Sequence, residues 1–192
     1  KSNYSSVFGY LKYDSFDNKH FPKKGSCFSG DIQSYLLSSD YTKTFKPFSV
    51  AKADFAIAKT VLKKTTIKFQ ADVGFSFGNQ SLPFFNFALG GFGYTTLDNF
   101  KHFYGYDFLG IAANSYLKAA TTIDYEILKK NHINLSANFA NLEDNLFHSL
   151  DWLSIPKYSG YALGYGLETI IGPIEIKHSW SPETGKGYTW FS

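Results

Sequence analysis

The residues able to act as nucleophiles, bases or metal ligands are few and scattered. A serine-hydrolase elbow needs Gly-x-Ser-x-Gly, with the Ser on a strained turn into a helix, plus an oxyanion Gly run and an Asp. The nearest approach, Gly25-Ser26-Cys27-Phe28-Ser29-Gly30, does not match that spacing and opens a strand pattern. Gly90-Gly91-Phe92-Gly93 looks like an oxyanion run but has no nucleophile in context, and reads as a loop hinge. The histidines (His20, His102, His132, His148, His178) form no i,i+4 metal pair. A single cysteine, Cys27, excludes a disulfide scaffold and a multi-cysteine zinc site. Gly164-Tyr165-Gly166 is no dinucleotide fingerprint, because no helix follows. The expected catalytic, metal and cofactor sets for this stretch are therefore empty. What is left is a set of charges (Lys52, Asp54, Lys68, Asp72, Lys118, Asp124, Glu126, Glu168, Glu175 and Lys177) placed to share one face of extended strands, where they could pair across strands.

The elements that carry these charges follow from composition and period. Of 192 residues, 44% are hydrophobic, 19% aromatic and 18% charged, against an average nearer a quarter charged. Such a chain is not disordered. All 19 cations are Lys, and the lack of Arg, the preferred phosphate and base reader, argues against nucleic acid as a partner. There is no Met, so the chain is expected to be a mature product or a piece of a longer one that extends N-terminally. Residues 1–20 carry no signal-peptide pattern. The longest charge-free stretch, Val73 to Leu97, is long enough for a membrane helix. Its five glycines, Pro83 and its Asn and Gln residues make it a poor helix and too polar to insert. A barrel of alternating strands is the other way across a bilayer.

Period two dominates. Ile67, Phe69, Ala71, Val73, Phe75 and Phe77 alternate strictly with Lys68, Gln70, Asp72, Gly74, Ser76 and Gly78. Similar alternation predicts nine strands, at 4–13, 25–37, 48–61, 65–78, 107–128, 131–141, 159–170, 173–181 and 187–192. They are long for a soluble protein. Their polar face mixes small residues with charges, as a wet lumen would, and aromatics gather near strand ends, as an interfacial girdle would. The expected fold is an all-β, antiparallel transmembrane β-barrel, with a soluble β-sandwich binding module as the alternative. Residues 1–192 form a single barrel segment.

Antiparallel order puts the tight connections 14–24, 62–64, 129–130 and 171–172 on one side and the long ones, 38–47, 79–106, 142–158 and 182–186, on the other. Outer-membrane barrels have short periplasmic turns and long external loops. The doublets Lys23–Lys24, Lys63–Lys64 and Lys129–Lys130 then lie on the periplasmic side, where they are either plain solvated turns or contacts for anionic headgroups. The stretch 79–106 becomes the long external loop.

Three segments carry a family likeness. Tyr13-Asp14-Ser15-Phe16-Asp17-Asn18-Lys19-His20-Phe21-Pro22-Lys23-Lys24-Gly25 is a turn with Pro, a basic pair and Gly before a long strand. Leu82-Pro83-Phe84-Phe85-Asn86-Phe87-Ala88-Leu89-Gly90-Gly91 opens the long loop, and Gly172-Pro173 precedes the penultimate strand. In order and spacing the chain resembles the C-terminal barrel of BamA- and TamA-type outer-membrane proteins, the surface-antigen superfamily. The resemblance covers essentially the whole chain and implies strands eight to sixteen of a sixteen-stranded barrel in the bacterial outer membrane. It also implies membrane lipids, the missing strands of the same protein or another chain, and outer-membrane complex partners as contacts. In that family the sixth loop ends in Val-Arg-Gly-Phe or Arg-Gly-Tyr, whose Arg folds into the lumen. Here the stretch is Phe103-Tyr104-Gly105-Tyr106, with Tyr104 in the Arg position. This departure, with Ser159 to Thr169 and the Gly-Pro turn, looks most like the barrel of patatin-like phospholipases of the Bacteroidetes group. That resemblance implies an N-terminal hydrolase with a Ser-Asp dyad, which this barrel would anchor or help translocate. The alternative is the barrel of an outer-membrane protein assembly or insertion factor.

Overall fold

The computed structural model describes residues 3–39, 45–78, 83–92, 99–148 and 150–192. In chain order the strands are β1 (Tyr4–Asp14), β2 (Lys24–Ser38), β3 (Phe48–Leu62), β4 (Thr65–Gly78), β5 (Phe87–Leu89), β6 (Phe100–Lys101), β7 (Ile111–Ala113), β8 (Ser115–Leu128), β9 (Asn131–Glu143), β10 (Tyr158–Thr169), β11 (Gly172–Trp180) and β12 (Gly187–Phe191). Nine of them form one antiparallel sheet in the order β1-β2-β3-β4-β8-β9-β10-β11-β12. β1 and β12 do not pair with each other, so the sheet is an open segment of a barrel. No described helix is long and apolar enough to cross a membrane.

The face polarity is the reverse of a soluble sandwich. On β4, Ile67, Phe69, Phe75 and Phe77 are exposed, whereas Thr66 and Asp72 are buried. On β9, Ile133, Leu135 and Phe139 are exposed while His132, Asn134, Ser136 and Asn138 are buried. Extended backbone sends neighbouring side chains to opposite faces. The apolar set therefore points outward, to lipid, and the polar set lines the concave side. A 14-residue strand such as β4 is about 48 Å long at about 3.4 Å per residue, and about 34 Å high when tilted by about 45°. That height spans the hydrocarbon of a bilayer. The barrel expectation holds, and the soluble-sandwich alternative fails on the outward apolar face.

Eight of the nine strands match their expected positions to within a residue or two. The expected strand 107–128 does not. β8 begins at Ser115, and residues 111–113 belong instead to a three-stranded side sheet, β6-β5-β7. The reason is local. Leu109 adopts φ 57°, and the amide of Gly110 donates to the Asp107 carbonyl at 3.0 Å. The turn takes Ile111 and Ala113 off the outer face and pairs them with Leu89 and Phe87. The long loop thus runs to Asn114, and its described residues fold into the lumen.

The inner face balances its charges by pairing. Asp54 and Asp72 are direct partners across β3 and β4, a like-charge pair that is unfavourable alone. Lys118 of β8 binds Asp72 at 2.5 Å, and Lys101 from the loop binds Asp54 at 2.5 Å. The turn between β1 and β2 also points inward. Its shape is set by Asp17 Oδ1, which accepts from the amides of Lys23 and Lys24, and by Asn18 Oδ1, which accepts from those of His20 and Phe21. The Phe21 ring then stacks on His132 at 4.2 Å, and Lys23 reaches Glu126 at 2.6 Å.

Phe69 is 41% exposed. In water, Phe69→Arg would be nearly neutral. In a bilayer it is expected to cost about 2–4 kcal/mol near the midplane, measured by urea unfolding of the liposome-embedded protein.

Candidate functional site

The site is the long loop and the surface that holds it. Phe85, Phe87, Leu89, Phe103, Tyr106 and Ala113 of the loop meet Phe48, Val50, Tyr116, Ala140 and Leu142 of the wall in one buried apolar cluster. This is the hydrophobic core of the segment, and the loop supplies half of it. A polar lumen wall offers little for a loop to pack on, so the loop brings its own aromatics.

Pro83 opens a short 3-10 turn, closed by the Asn86 amide on its carbonyl at 3.1 Å. Leu82, grouped with this motif from sequence, lies outside the described residues, as does Gly93. Gly90 and Gly91 do not act as an oxyanion run. The Gly91 amide donates to the Tyr106 carbonyl at 3.0 Å, and the Phe103 amide donates to the carbonyls of Gly90 and Gly91, both at 3.2 Å. The glycine pair and Phe103-Tyr104-Gly105-Tyr106 are therefore one hydrogen-bonded unit.

Two glycines let that unit reach the wall. A Cβ at Gly160 would strike the Tyr104 carbonyl oxygen, and a Cβ at Gly105, which adopts φ +77°, would strike the backbone of Trp180 and Ser181. Tyr104 turns its ring toward β11. Lys177 Nζ lies 4.4 Å from the Phe92 ring centroid and 5.3 Å from that of Tyr104, with the Tyr104 hydroxyl at 3.5 Å. Glu175 completes the arrangement with an ion pair to Lys177 at 2.9 Å. The cation is thus on the wall and the aromatic groups on the loop.

A second clamp holds the outer end of the unit. Glu183 accepts from Ser159 Oγ at 2.7 Å and Ser181 Oγ at 2.5 Å. The Tyr106 hydroxyl lies 3.5 Å from Glu183, and Thr184 Oγ1 donates to the Gly105 carbonyl at 3.1 Å. A slight desolvation opposes the charge of the largely exposed Glu183, but the Ser181 and Ser159 donors outweigh it and hold its carboxyl below the ordinary value of 4.5.

Sequence reasoning picked out Phe103 to Tyr106 but not their receptors. Lys177 appeared only as one of the inner-face charges, Gly160 only inside a strand run, and Glu183 not at all. The available signal was Gly160, Ala162, Gly164 and Gly166, a row of small residues at four successive inward positions of that strand. The basic doublets share the opposite end of the segment. Lys23 binds Glu126, and Lys64 Nζ donates to the Ile127 carbonyl at 3.0 Å. Lys24, Lys63, Lys129 and Lys130 are exposed. No group of histidine, cysteine and carboxylate residues that could hold a metal ion occurs among the described residues.

The family model described as the OMP85 superfamily matches residues 1–192. Among solved structures, BamA from Haemophilus ducreyi lacking POTRA domains 1–3 is similar in fold, with a TM-score of 0.69 at 13% identity. The match covers 97% of this chain and 42% of that one, so the chain spans less than half the length of its structural relative. The sequence matches no curated protein.

Two outcomes follow from the seat. Gly160→Ala forces a Cβ onto the loop backbone, an overpacking that costs about 1–3 kcal/mol. It is expected to lower hydrogen-exchange protection of residues 99–106 by about tenfold or more, while Ala162→Ser on the same strand leaves it intact. Because the folded carboxyl of Glu183 titrates below its ordinary value, its contribution is present above pH 4.5 and is lost as pH falls through the lowered folded value. Loop protection should therefore drop on acidification in this window, and Glu183→Gln should flatten that drop.

Proposed function

The chain belongs to the OMP85 superfamily, and from that membership we propose that it is the membrane-embedded barrel of a larger outer-membrane protein, serving as its anchor and translocation unit. The observation that carries this reading is the outward apolar face combined with a lumen occupied by the chain's own loop. The outer face is suited to acyl chains. The exposed lysines of the turns, with Ile170 and Ile171 almost fully exposed at the same rim, suit the boundary between headgroups and periplasm.

The passenger we assign is a patatin-like lipid acyl hydrolase on the N-terminal side. The support is Tyr104 in place of the family's loop Arg, with the strand run Ser159 to Thr169 and the Gly172-Pro173 turn. A wall lysine now meets loop aromatics, so the loop keeps its seat without the cation that the assembly-factor pattern uses. A second reading, an assembly or insertion barrel for other outer-membrane proteins, draws on the fold likeness to BamA.

The two readings part on a single preparation. The full-length protein, extracted from outer membranes and placed in phospholipid vesicles, is expected to release fatty acid. Vesicles that release none, together with loss of other folded outer-membrane proteins on depletion in cells, would favour the assembly reading. A full-length protein that stays monomeric in buffer without detergent would overturn both.

A further inference from the structure

The connection between β9 and β10 stands at the end of the sheet opposite the lysine turns. Between Asp144 and Lys157 its sequence carries one formal charge, Asp151. The long loop folds into the lumen, but this connection folds the other way, over the outer face.

Asn141 shows the direction. The outward set of β9 is Ile133, Leu135 and Phe139, all exposed, and Asn141 has the same parity. It pairs with Leu117 of β8 in an unbroken register that also pairs Leu135 with the outward Ile123. Yet Asn141 is only 4% exposed, and the alternation of exposed and buried residues breaks there. The connection covers it. Asn141 Nδ2 donates to the carbonyls of Asp151 at 3.3 Å and Ser154 at 3.2 Å, and its Oδ1 accepts from the Lys157 amide at 2.8 Å. A lipid-facing position thus holds an amide that the chain folded over it satisfies.

Height sets the surroundings. Asn141 lies eight residues beyond Ile133, about 19 Å along the membrane normal at about 3.4 Å per residue and a tilt of about 45°. The apolar band of an outer-membrane barrel is about 25 Å tall, so the covering segment stands at the edge of that band. It turns apolar side chains outward: Leu153 is 66% and Ile155 90% exposed. Phe147 sets its ring against the lipid-facing Phe75 of β4, with centroids 5.5 Å apart, and Trp152 follows on Phe147 at 6.1 Å. Single exposed apolar residues need no explanation. These continue the lipid-facing surface from Phe75, and Trp152 stands where interfacial aromatic belts stand.

We propose that residues 151–156 form a foot that rests in the adjacent leaflet of the bilayer, with Trp152, Leu153 and Ile155 against lipid acyl chains. The proposal rests on the membrane-barrel reading and adds a lipid contact made by a connection outside the strands.

The test uses the full-length protein with every native thiol, Cys27 included, replaced by Ser. An environment-sensitive fluorophore is attached at Leu153→Cys or Ile155→Cys, and the protein is placed in phosphatidylcholine vesicles. Both positions are exposed, so the label displaces no packed side chain. Phe69→Cys on the outer wall and Lys186→Cys, exposed in the β11–β12 connection of the same rim, are the references. Brominated phosphatidylcholine should quench the labels at 153 and 155 at least about threefold more than the label at 186, and aqueous iodide should show the reverse order. Labels at 153 and 155 that behave like 186, while 69 is quenched by bromolipid, would overturn the foot and leave the barrel standing. A label at 69 that bromolipid does not quench would remove the barrel reading and the foot with it. Labels at 153 and 155 shielded from both quenchers would mean that protein covers the segment, which also overturns the proposal.

Discussion

A strand that crosses a bilayer with one polar face must have that face satisfied from within. This constraint governs the whole segment. The inner wall places Asp54 opposite Asp72, an arrangement that low-dielectric surroundings make costly unless cations arrive. One cation comes from the neighbouring wall strand as Lys118, the other from the loop as Lys101. The loop is therefore part of the wall's electrostatics. Removing it would leave Asp54 without its ion pair and would open the aromatic cluster in the same event.

The seat of the loop follows from the same logic. A polar lumen lined by small residues gives close backbone approach rather than side-chain packing, and the approach of Tyr104 to Gly160 uses that property. The cation at this point sits on β11, as Lys177, and the loop presents Phe92 and Tyr104 to it. A wall lysine beside two loop rings attracts the loop to the wall. A cation over a ring is less directional than a charged hydrogen bond. Glu183 and its hydroxyl donors then fix the end of the unit that a cation–ring contact leaves loosely oriented.

The first turn closes the other end by a different device. Its Asx bonds are local to the turn, and the backbone they shape aims Phe21 inward onto His132, itself held between Asp124 and Glu168. Loop and turn together bound a chamber of about 260 Å³ on the concave side.

Strand length and the wet character of one face turned Phe69 and its neighbours outward; the alternation of apolar and polar residues determined the strands, their order and which residues share a face. It could do so because side-chain direction in a strand depends only on position parity. The Phe103-Tyr104-Gly105-Tyr106 unit was visible as a motif, because its resemblance to a known loop ending survives the loss of the Arg. Parity misplaced Ile111 and Ala113: it holds only while the backbone stays extended, and the positive φ of Leu109 ends that. The receptors of the loop were decided by the tertiary structure alone. Lys177 and Gly160 are ordinary inner-face residues until sheet curvature brings β10 and β11 beneath a loop inserted between β4 and β8.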